Sequence, residues 1–172
     1  MTVSRELKLD NGGASSRHTL YLTMAQTFAD KFSGCTKVAV GSVIVPNHSD
    51  EVLIFGANRA VPNLCKLRGC LRLEKYGDKS KDHRAPDDCR AVHSEIDAIG
   101  MAASRGISTY GSTIYVTRYP CEACARAIVS AGITEVYYGR GEEISEETKR
   151  IFDDNDVSYY QIKSWTAPDD NS

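Results

Sequence analysis

No apolar run in this chain approaches the roughly 18 residues of a membrane-spanning helix, so no membrane partner is expected. An excess of one charge is also missing. Lys plus Arg number 21 and Asp plus Glu 23, a formal net charge of −2. That balance argues against a protein that coats nucleic acid, which needs a basic footprint. The opening Met-Thr-Val-Ser-Arg-Glu-Leu-Lys has no apolar signal-peptide centre, so the expected location is the cytoplasm. There is no internal repeat and no low-complexity tract. With 41% hydrophobic and 26% charged residues, wholesale disorder, collagen-like repeats and coiled-coil bias are excluded.

What is present is one domain's worth of chain: 172 residues, enough to bury roughly 70% of the unfolded surface without covalent staples. The informative count is six cysteines, at 35, 65, 70, 89, 121 and 124. In a reducing compartment, clustered cysteines bind metal or do chemistry more often than they form bridges.

Residues 1–14 are polar, contain Asn-Gly-Gly and read as a flexible lead. A helix is expected from Ser15 or Ser16 to Gly34, with Leu20, Met24, Phe28 and Phe32 on its inward face. Val38–Val45 and Glu51–Phe55 read as a hairpin, turned at 47–50. Residues 57–92 lose periodicity and read as a long insertion with little regular structure. Loops that long are usually functional or held by something, and this one carries three cysteines.

Order returns with a helix over Ser94–Ser104, its Ile96, Ile99 and Ala103 inward. A strand at Thr113–Thr117 follows, then a helix at Cys121–Ala131 closed by Gly132. A strand at Ile133–Tyr138, a helix at Ser145–Phe152 and a strand at Val157–Ile162 complete the pattern. The domain is thus expected over 15–165, with a polar tail at 166–172. Strand–helix alternation in the second half argues for parallel pairing there. The expected fold is α/β, a three-layer α/β/α sandwich around a mixed sheet of about five strands.

His93-Ser94-Glu95 opens one helix, and Pro120-Cys121-Glu122-Ala123-Cys124 opens another. The 24 residues between Glu95 and Pro120 are enough for a helix, a loop and one strand, which returns both helix starts to one sheet edge. Cysteines three apart in a first helical turn share a face and can grip one ion. A helix N-terminus lowers a thiol's pKa and favours the thiolate ligand. With His93 as third ligand, one tetrahedral position stays open, as at catalytic zinc. Water on such an ion ionises near pH 7, and Glu95 stands where a proton shuttle is needed. Taken singly, a C-x-x-C also serves packing or redox pairs, and a histidine before a helix is often a cap. Taken together, the pattern is specific, and it resembles that of zinc nucleobase deaminases.

At these residues the chain resembles the cytidine and deoxycytidylate deaminase superfamily, above all its bacterial and phage deoxycytidylate (dCMP) deaminases. The resemblance runs over about 18–162. It includes Ser33-Gly34-Cys35-Thr36-Lys37, Val40–Val45, Gly56-Ala57-Asn58, Cys89–Glu95 and Ile114–Thr117. It implies a cytidine deaminase-like fold and zinc-dependent hydrolysis of a pyrimidine nucleotide, dCMP to dUMP and ammonia. His93, Cys121 and Cys124 would hold the catalytic zinc, and Glu95 would carry protons from the zinc-bound water to cytosine N3 and to the leaving amine. Asn58 would contact sugar or base, and the Ser94 N–H would face the base carbonyl. Arg118 and Tyr119 would border the substrate. A homo-oligomer is expected from the family. The chain departs from the family pattern at Ala57, Arg59 and Ser94, where Tyr, Gly and Ala are usual.

Some members of the resembled family carry a second, closed zinc site. Here Cys35, Cys65, Cys70 and Cys89 would form it, with His83 as a substitute ligand, pinning the insertion; free buried cysteines are the other reading. Residues 66–90 hold eight basic and five acidic side chains, whereas the chain from Gly141 onward holds three and nine. Arg59, Arg68, Arg72 and Arg118 are therefore phosphate candidates, against a merely solvated role. Two other readings of the whole remain: a deaminase of another aminated ring (cytidine, guanine or tRNA adenosine), and a non-catalytic, zinc-held binding module.

Overall fold

Two apolar clusters, one on each face of a single sheet, account for the layering. On one face Ile44, Ile114, Val116, Val136 and Tyr138 pack beneath Ala98, Ala102, Ala125, Ile128 and Phe152. On the other, Val43, Val45, Tyr115 and Tyr137 meet Tyr21, Leu22 and Ala25. This alternation along a strand is what a sheet covered on both faces requires.

The computed structural model describes residues 14–60, 64–77, 89–141 and 144–167. Its elements are α1 (Ala14–Phe32), β1 (Gly41–Pro46), β2 (Ile54–Ala57), β3 (Arg59–Ala60), α2 (Leu64–Arg68), α3 (Leu71–Tyr76), β4 (Ala91–Val92), α4 (Ser94–Ser104), β5 (Ser112–Arg118), α5 (Glu122–Ser130), β6 (Glu135–Arg140), α6 (Glu146–Asp153) and β7 (Ser158–Gln161). The five-stranded sheet runs β2-β1-β5-β6-β7. β1 is antiparallel to β2 and to β5, while β5, β6 and β7 are parallel. α1 covers one face; α4, α5 and α6 cover the other. The mixed α/β/α sandwich expected from the sequence is the fold observed.

Three expectations need correction. The insertion has more regular structure than expected: α2, α3 and the β3–β4 ladder, which pairs Arg59 with Val92 and Ala60 with Ala91. The ladder closes the insertion at its base, between Asn58 and His93. The second correction concerns α1. It opens at Ala14, ahead of both serines, and its buried residues are Tyr21, Leu22, Ala25 and Ala29, while Leu20 and Phe32 are 55% and 52% exposed. The third concerns α4, which buries Ala98 and Ala102 and leaves Ile96 and Ala103 exposed.

One physical cause explains the last two. Both helices press backbone-close onto the hairpin, so small residues occupy the contact and large ones move to the flanks. A Cβ on Gly41 would collide with the Ala25 carbonyl, and one on Gly56 would collide with the Ser94 carbonyl and stand 2.7 Å from Ala98 N. Gly56→Ala is therefore expected to destabilise the chain by about 1–3 kcal/mol, as overpacking does. Urea unfolding checks it: a reduced midpoint at unchanged slope is the expected result, and an unchanged midpoint refutes the close contact.

Tyr137 and Tyr138 are buried, and Tyr159 and Tyr160 are half-buried against the clusters. The expectations for residues 1–13, for His83 and for the tail from 168 lie outside the described residues.

Candidate metal and catalytic site

β5 ends at Arg118, and the next helix starts three residues later, with Cys121 as its N-cap. His93 is the N-cap of α4. Both caps have extended backbone, φ −69° and ψ 152° at His93, φ −81° and ψ 170° at Cys121, and neither side chain bonds its own helix end. Their ligand atoms turn toward each other instead. His93 Nδ1 lies 3.5 Å from Cys121 Sγ and 3.4 Å from Cys124 Sγ. Among the described residues, these three form the group able to hold a metal, with ligand atoms all within 4.8 Å.

The donor set fits zinc on its own geometry. Tetrahedral bonds of about 2.0 Å to nitrogen and about 2.3 Å to sulfur place those atoms about 3.5 Å apart. The two N···S distances lie within about 0.2 Å of that. The electrostatics agree. Hydrogen bonding to Cys121 and Cys89 pushes His93 up to about 10. Hydrogen bonds from Cys124 and His93 pull the Cys121 thiol down to about 4, against its burial. Cys124 is held protonated by its bond to Cys121 and by burial. A metal-free cluster thus needs protons to hold together sulfur and nitrogen atoms that a cation would join directly. The positive ends of two helices converge on the same point and favour thiolate.

Glu95 stands one residue into α4 and is 4% exposed. Burial pushes its carboxyl up, outweighing the pull of His93 and of the Ser94 hydroxyl, which donates to Oε2 at 3.0 Å. The turn that carries it is pinned to the hairpin. Ser42 Oγ donates to the Ser94 carbonyl at 2.7 Å, and Asp97 accepts from the Ala57 N–H at 3.1 Å and pairs with Arg59 at 2.7 Å. Asp97 is the residue that sequence reasoning passed over. An acidic residue in a first helical turn reads as an ordinary dipole partner, and nothing in the sequence marks its strand contacts.

An open cavity leads to this group. Asn58, Ser94, Glu95, Arg118 and Tyr119 all line it, as do His93 and Cys121. Two cations join Arg118 there, Arg72 from α3 and Lys37 from the loop after α1. Arg59 is engaged with Asp97, and neither Arg59 nor Arg68 lines the cavity. Lys37 carried no signal beyond its place two residues after Cys35. The Asn58 side chain is largely used by the protein. Its Oδ1 accepts from Ser33 Oγ at 2.6 Å and from Val40 N at 2.9 Å, and its Nδ2 donates to the Val38 carbonyl at 2.8 Å. One amide N–H is left to offer the cavity.

The other four cysteines gather on the insertion side. Cys35, Cys70 and Cys89 line the same cavity, and Cys65 is buried in α2. Burial and the nearby Cys35, Cys70 and Cys89 raise the Cys65 thiol. A hydrogen bond with His93 and the Ala91 N–H lower Cys89. The Lys37 N–H donates to Cys35 Sγ at 3.4 Å. These four sulfurs are not drawn as close together as His93, Cys121 and Cys124 are.

The family model of the cytidine and deoxycytidylate deaminase zinc-binding region matches residues 15–140. ComE operon protein 2 of Bacillus subtilis is 31% identical over 133 residues, 76% of this chain and 64% of that protein. The deoxycytidylate deaminase of Saccharomyces cerevisiae is 29% identical over 150 residues, 86% of this chain and 46% of that one. The chain thus spans less than two thirds of either curated relative. Among solved structures, the apo dCMP deaminase of cyanophage S-TIM5 matches the fold with a TM-score of 0.58 at 20% identity, covering 85% of this chain and 97% of that one.

Proposed function

The chain belongs to the cytidine and deoxycytidylate deaminase family, and from that premise we propose that it hydrolyses dCMP to dUMP and ammonia. The observation that carries the reading is the convergence of His93, Cys121 and Cys124 within 4.8 Å beside the buried Glu95 at one cavity. The family relationship, with relatives named deoxycytidylate deaminase, supports the substrate.

His93, Cys121 and Cys124 would hold the zinc, which would supply the Lewis acidity that makes a water nucleophilic near neutral pH. The chain's own residues do the rest. Glu95 takes one proton from the water as its oxygen bonds to C4 and places that proton on N3 of the cytosine ring; it then carries the remaining proton of the new C4 hydroxyl to the amine, which leaves as ammonia as the C4–N bond breaks. Its burial suits the task, because a carboxyl with raised proton affinity is a better proton acceptor than an exposed one and can pass the proton on. Ser94 offers its backbone N–H to the base carbonyl and its hydroxyl to Glu95. The remaining Nδ2 proton of Asn58 meets the sugar or base. Tyr119 bounds the substrate, and the cations Lys37, Arg72 and Arg118 suit its phosphate.

The reading extends to a second, structural zinc on Cys35, Cys65, Cys70 and Cys89. Backbone N–H groups directed at the Cys35 and Cys89 sulfurs favour thiolate there. It also extends to a homo-oligomer acting in the cytoplasm on a small nucleotide, rather than on a polynucleotide. No described helix is long and apolar enough to cross a membrane.

The test is a substrate panel with zinc-replete protein, following dCMP conversion to dUMP by absorbance. Turnover of dCMP well above that of cytidine is the expected result. Equal rates would move the substrate to the nucleoside, and no turnover of either would redirect the search to other aminated rings.

A further inference from the structure

We propose that Gly141 and Gln161 are positioning residues for the substrate cavity, acting through the Tyr119 ring. The inference rests on the reading of the cavity as the nucleotide site, and it concerns residues that hold no atom in that cavity.

Tyr119 follows the last residue of β5, and its N–H donates to the Arg140 carbonyl at 3.2 Å, at the end of β6. The next residue on that side is Gly141, with φ +118°, a conformation that side chains rarely adopt. A Cβ at Gly141 would overlap Tyr119 Cδ1 and stand 2.6 Å from Cε1. The tyrosine ring therefore occupies the space a side chain at 141 would fill. Tyr119 also lines the cavity that Glu95, Asn58 and Arg118 line. An atom added at 141 must therefore displace a residue of the cavity wall.

A side chain of β7 holds the backbone behind the ring. β7 ends at Gln161, so the carbonyls at the end of β6 outrun their neighbouring strand. Gln161 Nε2 donates to both, to Gly139 O at 3.3 Å and to Gly141 O at 3.2 Å. It takes the place of the missing ladder bonds. The order of action is Gln161 on the β6 end, Gly141 on the ring, and the ring on the substrate.

A double-mutant cycle on the zinc-loaded full chain tests this. Gly141→Ala is expected to raise the KM for dCMP about tenfold, with kcat and zinc content nearly unchanged, because displacing a wall of the binding cavity removes binding that ground state and transition state share. In a Tyr119→Ser background, Gly141→Ala should change KM little, since the ring it displaces is gone. An equal rise in both backgrounds, or no rise in either, overturns the proposal, because plain backbone strain at 141 is indifferent to residue 119. If Gly141→Ala does not fold, Gln161→Leu decides: it removes the donor without adding bulk at 141, and a KM at the wild-type value overturns the proposal. Should the wild type prove inert on dCMP, the functional reading fails separately. The crystal structure of Gly141→Ala then settles the positioning role, with a displaced Tyr119 ring expected and an unmoved one refuting it.

Discussion

Glu95→Gln is expected to lower kcat for dCMP deamination by about 10²–10⁴-fold, the usual range for a lost general acid–base group. Gln has nearly the same shape. It keeps an oxygen for the Ser94 hydroxyl that now donates to Oε2 at 3.0 Å. It fits a position that is 4% exposed without opening a cavity. What it lacks is a site that can gain and lose a proton. The expected signature is therefore specific: kcat collapses, KM stays within a few-fold, and zinc content and unfolding midpoint hold. A kcat within tenfold of wild type refutes Glu95 as the proton carrier. Loss of metal together with activity would instead mean that Glu95 supports the His93–Cys124 cluster. The same variant separates an enzyme from a zinc-held binding module, because a module has no turnover for the substitution to remove.

The site was more legible than the packing that holds it. His93, Glu95, Cys121 and Cys124 sit at helix starts, and helix starts are marked in sequence by Pro120 and by the switch from strand to helix period. The 24-residue gap between Glu95 and Pro120 is one α–β unit, so both ends of it must meet. The inward faces of α1 and α4 were misread for a reason that periodicity cannot see. Large apolar residues mark the inward face only where there is room for them. Against Gly41 and Gly56 the helix backbones touch the strands, and the residues in contact there are Ala25 and Ala29 of α1 and Ala98 of α4. Leu20, Phe32 and Ile96 lie off the buried stripes and are exposed. The insertion was underread because α2 spans 5 residues and α3 spans 6, too short for a helical period to repeat. Contacts made by long-range partners left no mark at all: Asp97 on Ala57 and Arg59, and Gln161 on Gly139 and Gly141.

Cys121→Ser is expected to abolish turnover, by more than about 10³-fold, since the Lewis acidity of a catalytic ion supplies several kcal/mol of transition-state stabilisation. The argument runs through the ligand's charge. Cys121 caps α5, where hydrogen bonds from Cys124 and His93 pull its thiol down and favour a thiolate ligand. Serine has the same size and no accessible anion, and it leaves His93 and the buried Cys124 as a two-residue remnant. Metal analysis reads the outcome directly. If Cys35, Cys65, Cys70 and Cys89 hold a structural ion as proposed, the wild type carries two zinc per chain and the variant one. A wild type with one zinc and a variant with none would confine metal to the catalytic group and return the four cysteines to the role of buried thiols. Stability distinguishes the two sites further. Loss of the catalytic ion removes a tie between the N-termini of α4 and α5, which the apolar cluster beneath them also joins. Loss of the second ion would release α2 and α3; among the described side chains of α2, Cys65 is the buried one. Cys65→Ser is thus expected to loosen the insertion and expose it to protease while the sheet and the catalytic zinc remain. A variant cleaved no faster than wild type refutes the metal as the insertion's tether.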